Sequence, residues 1–458
     1  VAVIDTGIDI EPEDLSDVSR TNTDEIARNG VDDDGNGNVD DVHGWNFLGS
    51  ADGENIEFDS YELTREYVRL QEKYSVLTDT QKQADEEWEY YQKVEKEYKN
   101  TVQKMEGQFA GFKEFYDQFK KAERLMTAYL DQEELTKTDL ITWESPDEKI
   151  SLARDIMLTA FDNGFDSEHL QKGYEYYTTA LNYGYNQDFD PRAVIGDDSD
   201  DPYQKVYGNN DVIGDFAFHG THVAGIIAAG RKNGVGMDGI ADNVKIMVIR
   251  AVPNGDERDK DVANAIIYAV DNGAQIVNMS FGKRFSPDKE VVDKAVKYAE
   301  SKGVLLIHAA GNSAHNNDEI VHYPSKNMRS TGKKVNNWIE VGAVSWEGDK
   351  DLVASFSNYG KENVDIFAPG VDILSTAPDQ DYQKASGTSM AAPVTTGVAA
   401  LVMSYFPSLS AEEVREIILN STVKYQKHKV SIPGTDEEIK FGELSQTGGV
   451  VNAYEAVK

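Results

Sequence analysis

The chain has 458 residues, 40% hydrophobic and 10% aromatic: enough apolar matter for a sizeable core, and too long for a single typical one. Its 81 Asp and Glu against 45 Lys and Arg leave a net charge of −36, which opposes binding to nucleic acid or anionic membranes. There is no cysteine, so disulfides, thiolate metal sites and cysteine nucleophiles are excluded, and the richest apolar run, Gly397 to Phe406, falls short of the roughly 18–20 residues of a membrane span.

Taken in chain order, Val1-Ala-Val-Ile4 is a short apolar run that predicts a buried strand ending in the turn Asp5-Thr-Gly7. A strand at the first residue leads us to expect chain upstream of Val1. From about Asp59 to Asn186 the composition shifts to Tyr, Glu, Lys and Gln with helical spacing. Trp88, Tyr91, Val94, Tyr98, Val102 and Met105 begin a stripe that continues through Phe109, Phe112, Phe115, Phe119, Ala122, Met126 and Tyr129 at steps of three and four. Ser145-Pro-Asp-Glu148 predicts a helix start capped by Ser145, and Ser167 opens another helix running to Gly184. We read 51–189 as an inserted all-helical subdomain of several antiparallel segments, interrupting a domain formed by 1–50 and 190–458. Gly107 and Gly111 favour a compact bundle over one long coiled coil. The aromatic stripe reads as the insertion's own core; the sharper alternative is a regulatory lid or an exosite for protein substrates. Asp197, Asp198, Asp200 and Asp201 read as a solvated acidic loop.

From Tyr203 onward strands and helices alternate. Val244 to Val252 is strand-like, Lys260 to Asn272 helical, Ala274 to Phe281 strand-like, Lys289 to Lys302 helical, and Val304 to Ala309 the next strand. This spacing predicts right-handed crossovers in an α/β, doubly wound, mainly parallel sheet.

Three motifs carry chemistry. Asp5 ends a buried strand, His219-Gly-Thr-His-Val-Ala-Gly225 opens a helix at a glycine turn, and Gly387-Thr-Ser-Met-Ala-Ala-Pro393 places Ser389 at the head of an apolar helix. A serine hydroxyl needs a base to take its proton, and the base needs a carboxylate to fix its tautomer. A helix start aims N–H groups at a developing oxyanion. Ala309-Ala-Gly-Asn312 adds a side-chain amide that could donate to the same oxyanion.

In this order the motifs resemble the subtilase family, across Val1 to Gly49 and about Tyr203 to Lys458; Met279-Ser-Phe-Gly282, Ala354-Ser-Phe-Ser-Asn358, Phe367-Ala-Pro-Gly370 and Leu374-Ser-Thr376 fit the same template. The resemblance implies a subtilisin-like three-layer α/β/α fold and a serine endopeptidase that cleaves protein or peptide substrates through an acyl-enzyme. Asp5 would orient, His219 would shuttle the proton, Ser389 would attack, and Asn312 would hold the oxyanion. Substrate would pair as a strand beside Ser280, Phe281 and Gly282. Ala309, Ala310 and Gly311 would wall the primary specificity pocket, with His322 at its floor or else in a surface loop.

Calcium is the implied cofactor. Asp32, Asp34, Asn36, Asn38 and Asp40 alternate around Gly37 as in an EF-hand-type loop, but His43 stands where the bidentate acid belongs, so that ligand is lost or supplied from elsewhere. The competing reading is a plain acidic turn. The resemblance also implies a second calcium site from Asp14 with the loop Arg231, Asn233, Val235 and Met237. It further implies an inhibitory propeptide upstream of Val1 and a bacterial protein that is secreted, periplasmic or at the cell surface. A competing class is a non-catalytic scaffold on the same fold, acting through the helical insertion. The departure from the family is the 214 positions between Asp5 and His219, where a few tens are usual; we expect the insertion to leave after Phe47 and return before His219 in surface loops.

Overall fold

The computed structural model describes residues 1–199 and 201–458. They form two compact units, Val1–Glu62 with Asp190–Lys458, and Leu63–Phe189.

The first unit is built on a nine-stranded sheet. Its strands are β1 Ala2–Asp5, β2 Gly44–Asn46, β3 Met247–Arg250, β4 Ile276–Met279, β5 Leu305–Ala309, β6 Trp338–Val344 and β7 Ile366–Pro369, and two short strands complete it. Two hairpins stand outside the sheet: β8 Ile373–Ala377 with β9 Asp381–Ala385, and, after the sheet strand β10 Val423–Lys424, β11 Lys429–Ser431 with β12 Glu438–Lys440. The last sheet strand is β13 Gly449–Val450. The order is β10-β13-β7-β6-β5-β4-β1-β3-β2, and every pairing is parallel except β10 with β13. Strand order reverses beside β1, which lies between β3 and β4, and in such sheets ligands bind beyond the carboxyl ends of the strands near that reversal.

Side chains alternate between the two faces. On β1, Ala2 and Ile4 join the core under the helices Asp259–Asp271 and Lys289–Ser301, whereas Val3 joins the core under the helix Phe218–Ala228. The helices Thr388–Tyr405 and Ala411–Asn420 pack on the second face through Ala391, Ala399, Val402, Val414 and Ile418. The result is a three-layer α/β/α unit. No helix among the described residues is long and apolar enough to cross a membrane.

The second unit is all-helical, and differs from expectation in one respect. Trp88–Leu130 is a single helix of 43 residues, about 65 Å long, that continues through Gly107 and Gly111. Each glycine costs only about 1 kcal/mol against alanine, less than packing along the stripe returns. Phe119, Ala122 and Met126 are buried against Ile150, Ala153 and Met157 of the helix Glu148–Asp162. Phe109 and Tyr116 stack on Tyr177 and Tyr174 of the helix Ser167–Thr179. The stripe is thus the unit's own core, although Tyr129 at its end is half exposed. The cap of Glu148–Asp162 is Asp147, which accepts from the Lys149 amide, while Ser145, two residues earlier, accepts from the Asp147 amide.

The segments flanking this unit are surface loops only in part, exposed at residues 51–54 and over most of 201–206 but anchored by buried residues elsewhere. Leu48, Ile56 and Asp59 before it, and Arg192 and Ile195 after it, are buried in the first unit, so residues 51–62 belong there and not to the insertion. Asp197 is likewise buried, paired with Arg192 and Lys260, where a solvated loop was expected. Asp200 lies outside the described residues, and Asp201 accepts from the Tyr203 amide.

Candidate active site

Asp5 sits at the carboxyl end of β1, 1% exposed. Its Oδ1 accepts from the Thr6 amide at 2.8 Å and lies 2.6 Å from His219 Nδ1. His219 occupies the first turn of Phe218–Ala228, and the close approach depends on the residue after it. A Cβ at Gly220 would fall 2.1 Å from the Gly7 carbonyl oxygen and 3.1 Å from Asp5 Cβ, so a side chain there would force the helix start off the Asp5 turn. Burial is the largest influence on the His219 ring and pushes its pKa down; the Asp5 carboxylate and its hydrogen bond outweigh this and raise it above the ordinary 6.5. The ring keeps 34% of its side-chain surface, which limits the burial effect.

Ser389 is the second residue of the helix Thr388–Tyr405. Its hydroxyl donates to the Ser280 carbonyl at 3.0 Å and not to His219, so a rotation about χ1 separates this arrangement from one poised for attack. The backbone is tied the other way: Ser280 Oγ donates to the Ser389 carbonyl at 2.9 Å. That carbonyl is available because Pro393, four residues on, has no N–H to claim it. Asn278 Nδ2 donates to Ser280 Oγ and Thr396 Oγ1 to Asn278 Oδ1, joining β4 to the helix behind the nucleophile.

Asn312 turns its oxygen inward, accepting from the Thr388 amide at 2.8 Å and the Thr388 hydroxyl at 3.0 Å. Its Nδ2 is left as a donor. A Cβ at Gly387 would lie 3.4 Å from that nitrogen and 3.6 Å from the Ser389 amide nitrogen, so the glycine keeps open the space both donors border. This geometry suits an oxyanion. Two residues that sequence reasoning gave no role hold the loop. Thr388 Oγ1 accepts from the Gly311 amide, and buried Asn358 donates to the Ala310 carbonyl while accepting from the Ser313 and His315 amides. The only advance signals were a hydroxyl beside Ser389 and an Asn ending the Ala354–Asn358 motif.

The expected substrate-side residues meet at one rim. Ser280, Phe281 and Gly282 follow β4, and Ala309, Ala310 and Gly311 close β5, with Ala310 donating to the Val341 carbonyl. His322 lies between the two segments: a Cβ at Gly282 would be 2.4 Å from its Nε2, and one at Gly311 3.1 Å from the ring. Burial, then the nearby His308 and His315, push its pKa down to about 3, so the ring is neutral. His222, one turn from His219, is buried and bonded to the Gln383 carbonyl, as a packed histidine should be.

The acidic groups divide. Asp32, Asp34 and the 7%-exposed Glu25 each offer a carboxylate oxygen within 4.8 Å of the others. Asn36 donates to Asp34 at 3.0 Å and accepts from the Asn38 amide, keeping both in the loop. Asp40 faces elsewhere, accepting from the Asn29 and Gly30 amides. Asp14, Asn233 and Met237 do come together, but with donors facing the carboxylate: Asn233 Nδ2 at 2.5 Å, the Met237 amide at 3.2 Å and the Tyr382 hydroxyl at 2.9 Å. The Arg231 guanidinium donates to the Gly239 and Ile240 carbonyls, and the Val235 amide donates to Asn233 Oδ1. Two N–H groups and an O–H thus surround the Asp14 carboxylate in this arrangement.

A parallel α/β unit with an acid–imidazole pair, a helix-head serine and two convergent N–H donors defines the class of site. The Subtilase family model matches residues 153–442, a stretch that includes His219, Asn312 and Ser389 and leaves out Asp5. The chain belongs to the subtilase family. It is similar to the thermophilic serine proteinase of Bacillus sp. strain AK1, 37% identical over 272 residues, covering 59% of this chain and 58% of that one. It is also similar to the major intracellular serine protease of Bacillus subtilis strain 168, 39% identical over 202 residues, covering 43% of this chain and 59% of that one. Against thermitase of Thermoactinomyces vulgaris the figures are 36% over 241 residues, 52% and 75%. The chain therefore spans less than two thirds of the length of the first two relatives.

Proposed function

We propose that the chain is a serine endopeptidase that hydrolyses peptide bonds in proteins through an acyl-enzyme on Ser389. The observation that carries this is the 2.6 Å pairing of His219 with a buried Asp5, set beside two N–H donors that border one open space at the serine. In the first half-reaction His219 Nε2 takes the Ser389 proton as Oγ attacks the carbonyl carbon, and Asp5 stabilises the imidazolium. Asn312 Nδ2 and the Ser389 amide hold the tetrahedral oxyanion, and His219 then protonates the leaving amine. Water repeats the sequence on the ester. The test is a fluorophosphonate probe on the native chain and on Ser389→Ala, with calcium present and with any upstream segment supplied. A native-only adduct supports the reading; no Ser389-dependent adduct overturns it.

Calcium belongs to the same proposal. Glu25, Asp32 and Asp34 would hold it, Glu25 replacing the acid that the loop lacks at His43, and the ion would supply charge balance that cross-links residues 25–40. An ion that binds only the folded state at a hundred times its Kd stabilises by about 2.7 kcal/mol. Titrating the chelated protein with Ca²⁺ by calorimetry should show a binding event and a rise in Tm, both much weakened in Glu25→Gln. Equal affinity in the variant would remove Glu25 from the site. Export to the periplasm, surface or medium of a bacterium is the third part; for export, a relative named as the halolysin-like extracellular serine protease Nep of Natrialba magadii is the support, and the Bacillus subtilis relative named as intracellular marks the opposite outcome.

A further inference from the structure

β5 carries an ionisable pair inside the sheet that the proposed chemistry does not use. His308 and its register partner Glu340 on β6 are 0% and 4% exposed. His308 Nε2 donates to the Phe281 carbonyl at 2.8 Å, and since a carbonyl only accepts, that nitrogen carries a proton. Nδ1 faces both carboxylate oxygens of Glu340, at 3.0 and 3.1 Å. Trp338 Nε1 donates to the same carboxylate at 2.8 Å. Both ring nitrogens thus meet acceptors, and the ring's orientation is set from two sides.

The consequence lies at Phe281. Successive carbonyls of an extended segment point in opposite directions. The Ser280 carbonyl faces the reacting centre, where it accepts from Ser389 Oγ, and the Phe281 carbonyl is drawn the other way by His308. Beyond Gly282, Lys283 exchanges two backbone hydrogen bonds of 2.9 Å with Tyr323, which pins the far end of the segment. An apolar residue at 308 would fill the same space but leave the Glu340 carboxylate a buried charge without its partner.

Building on the peptidase reading, we propose that His308, held by Glu340, is a positioning residue for substrate. By anchoring the Phe281 carbonyl inward it turns the backbone groups of Ser280 and Gly282 outward, to pair with the extended polypeptide on the amino-terminal side of the scissile bond. It acts on substrate alignment and not on attack by Ser389. A leucine at 308 with Glu340→Gln keeps volume and removes both the donor and the stranded charge.

The test compares His308→Leu/Glu340→Gln with wild type on a tetrapeptide amide and on a single-residue ester, which has no residues to pair with the rim. We expect KM for the tetrapeptide to rise about tenfold, with kcat on the ester and the fluorophosphonate labelling rate changed less than about twofold. His308→Gln/Glu340→Gln, whose longer amide can donate to Phe281, should recover most of the tetrapeptide KM. An unchanged tetrapeptide KM, or a parallel loss on both substrates, overturns the proposal. Should the leucine variant fail to fold by circular dichroism, His308→Asn/Glu340→Gln, whose amide is too short to reach Phe281, takes its place with the same outcomes. If the wild type itself does not label, it is the peptidase reading that fails; a labelled wild type with indifferent variants overturns only the positioning role.

Discussion

Asp5→Asn is expected to lower kcat/KM on a peptide about 10,000-fold and to move the acid limb of the pH profile to lower pH. Both effects follow from one contact. The carboxylate 2.6 Å from Nδ1 stabilises the imidazolium that forms as Ser389 loses its proton, and a neutral amide at the same distance does not. The sign of the pH shift comes from the free protein. His219 must be neutral to act as base, so activity is lost as pH falls through its pKa. Burial alone would depress that pKa; the Asp5 charge and its hydrogen bond raise it above 6.5. Removing the charge leaves burial in control, so the pKa and the acid limb both fall. Rate profiles from pH 4 to 10 on wild type and variant measure this. A limb that stays in place while the rate drops would mean that another group sets it.

The second large effect is on stability, at Arg192. This guanidinium is 0% exposed and donates to Asp59 at 3.1 Å, Asp197 at 3.1 Å and Asp261 at 2.6 Å. Arg258 shares Asp59, Lys260 shares Asp197, and the Tyr207 hydroxyl donates to Asp261, so three cations meet three buried carboxylates. Arg192→Met leaves one carboxylate in excess, and stranding a buried charge costs about 3–5 kcal/mol. We expect a Tm lower by roughly 5–10 °C. Adding Asp261→Asn should recover part of the loss, because the two residues are in contact and their effects do not add. A single variant as stable as wild type would show that the network contributes nothing net. The placement matters: Asp59 precedes the helical unit and Arg192 follows it, so this cluster holds together the two points where the chain leaves and rejoins the first unit. A 127-residue excursion then costs the sheet little, since loop-closure entropy grows only with the logarithm of length.

Much of the chemistry was legible beforehand. The β1 run and its turn, the glycine after His219, the Gly-Thr-Ser helix head and Asn312 after β5 are local patterns, and local backbone preference is what a sequence records most directly. The same holds for the strand–helix alternation that defines the parallel sheet, and for the aromatic stripe, whose period of three to four places it on one helix face.

What only the tertiary structure decided concerns partners distant in the chain. Whether Gly107 and Gly111 break a helix depends on the packing along its stripe, which outweighs their small local cost. Glu25 meets Asp32 and Asp34 through a fold of the loop that no spacing rule contains, and Asp14 accepts from the hydroxyl of Tyr382, 368 positions away. Asp197 looks solvated among its acidic neighbours, yet it is buried because Arg192 and Lys260 arrive from elsewhere. His308 reads as one apolar-strand residue among others until β6 brings Glu340 beside it in register and the end of β4 brings the Phe281 carbonyl. Sequence by itself determined which groups could do chemistry here. The long-range pairings of the sheet determined which of them face a substrate, which hold another residue in place, and which are spent on each other, because burial and electrostatic partnership are properties of the packed chain and not of its local order.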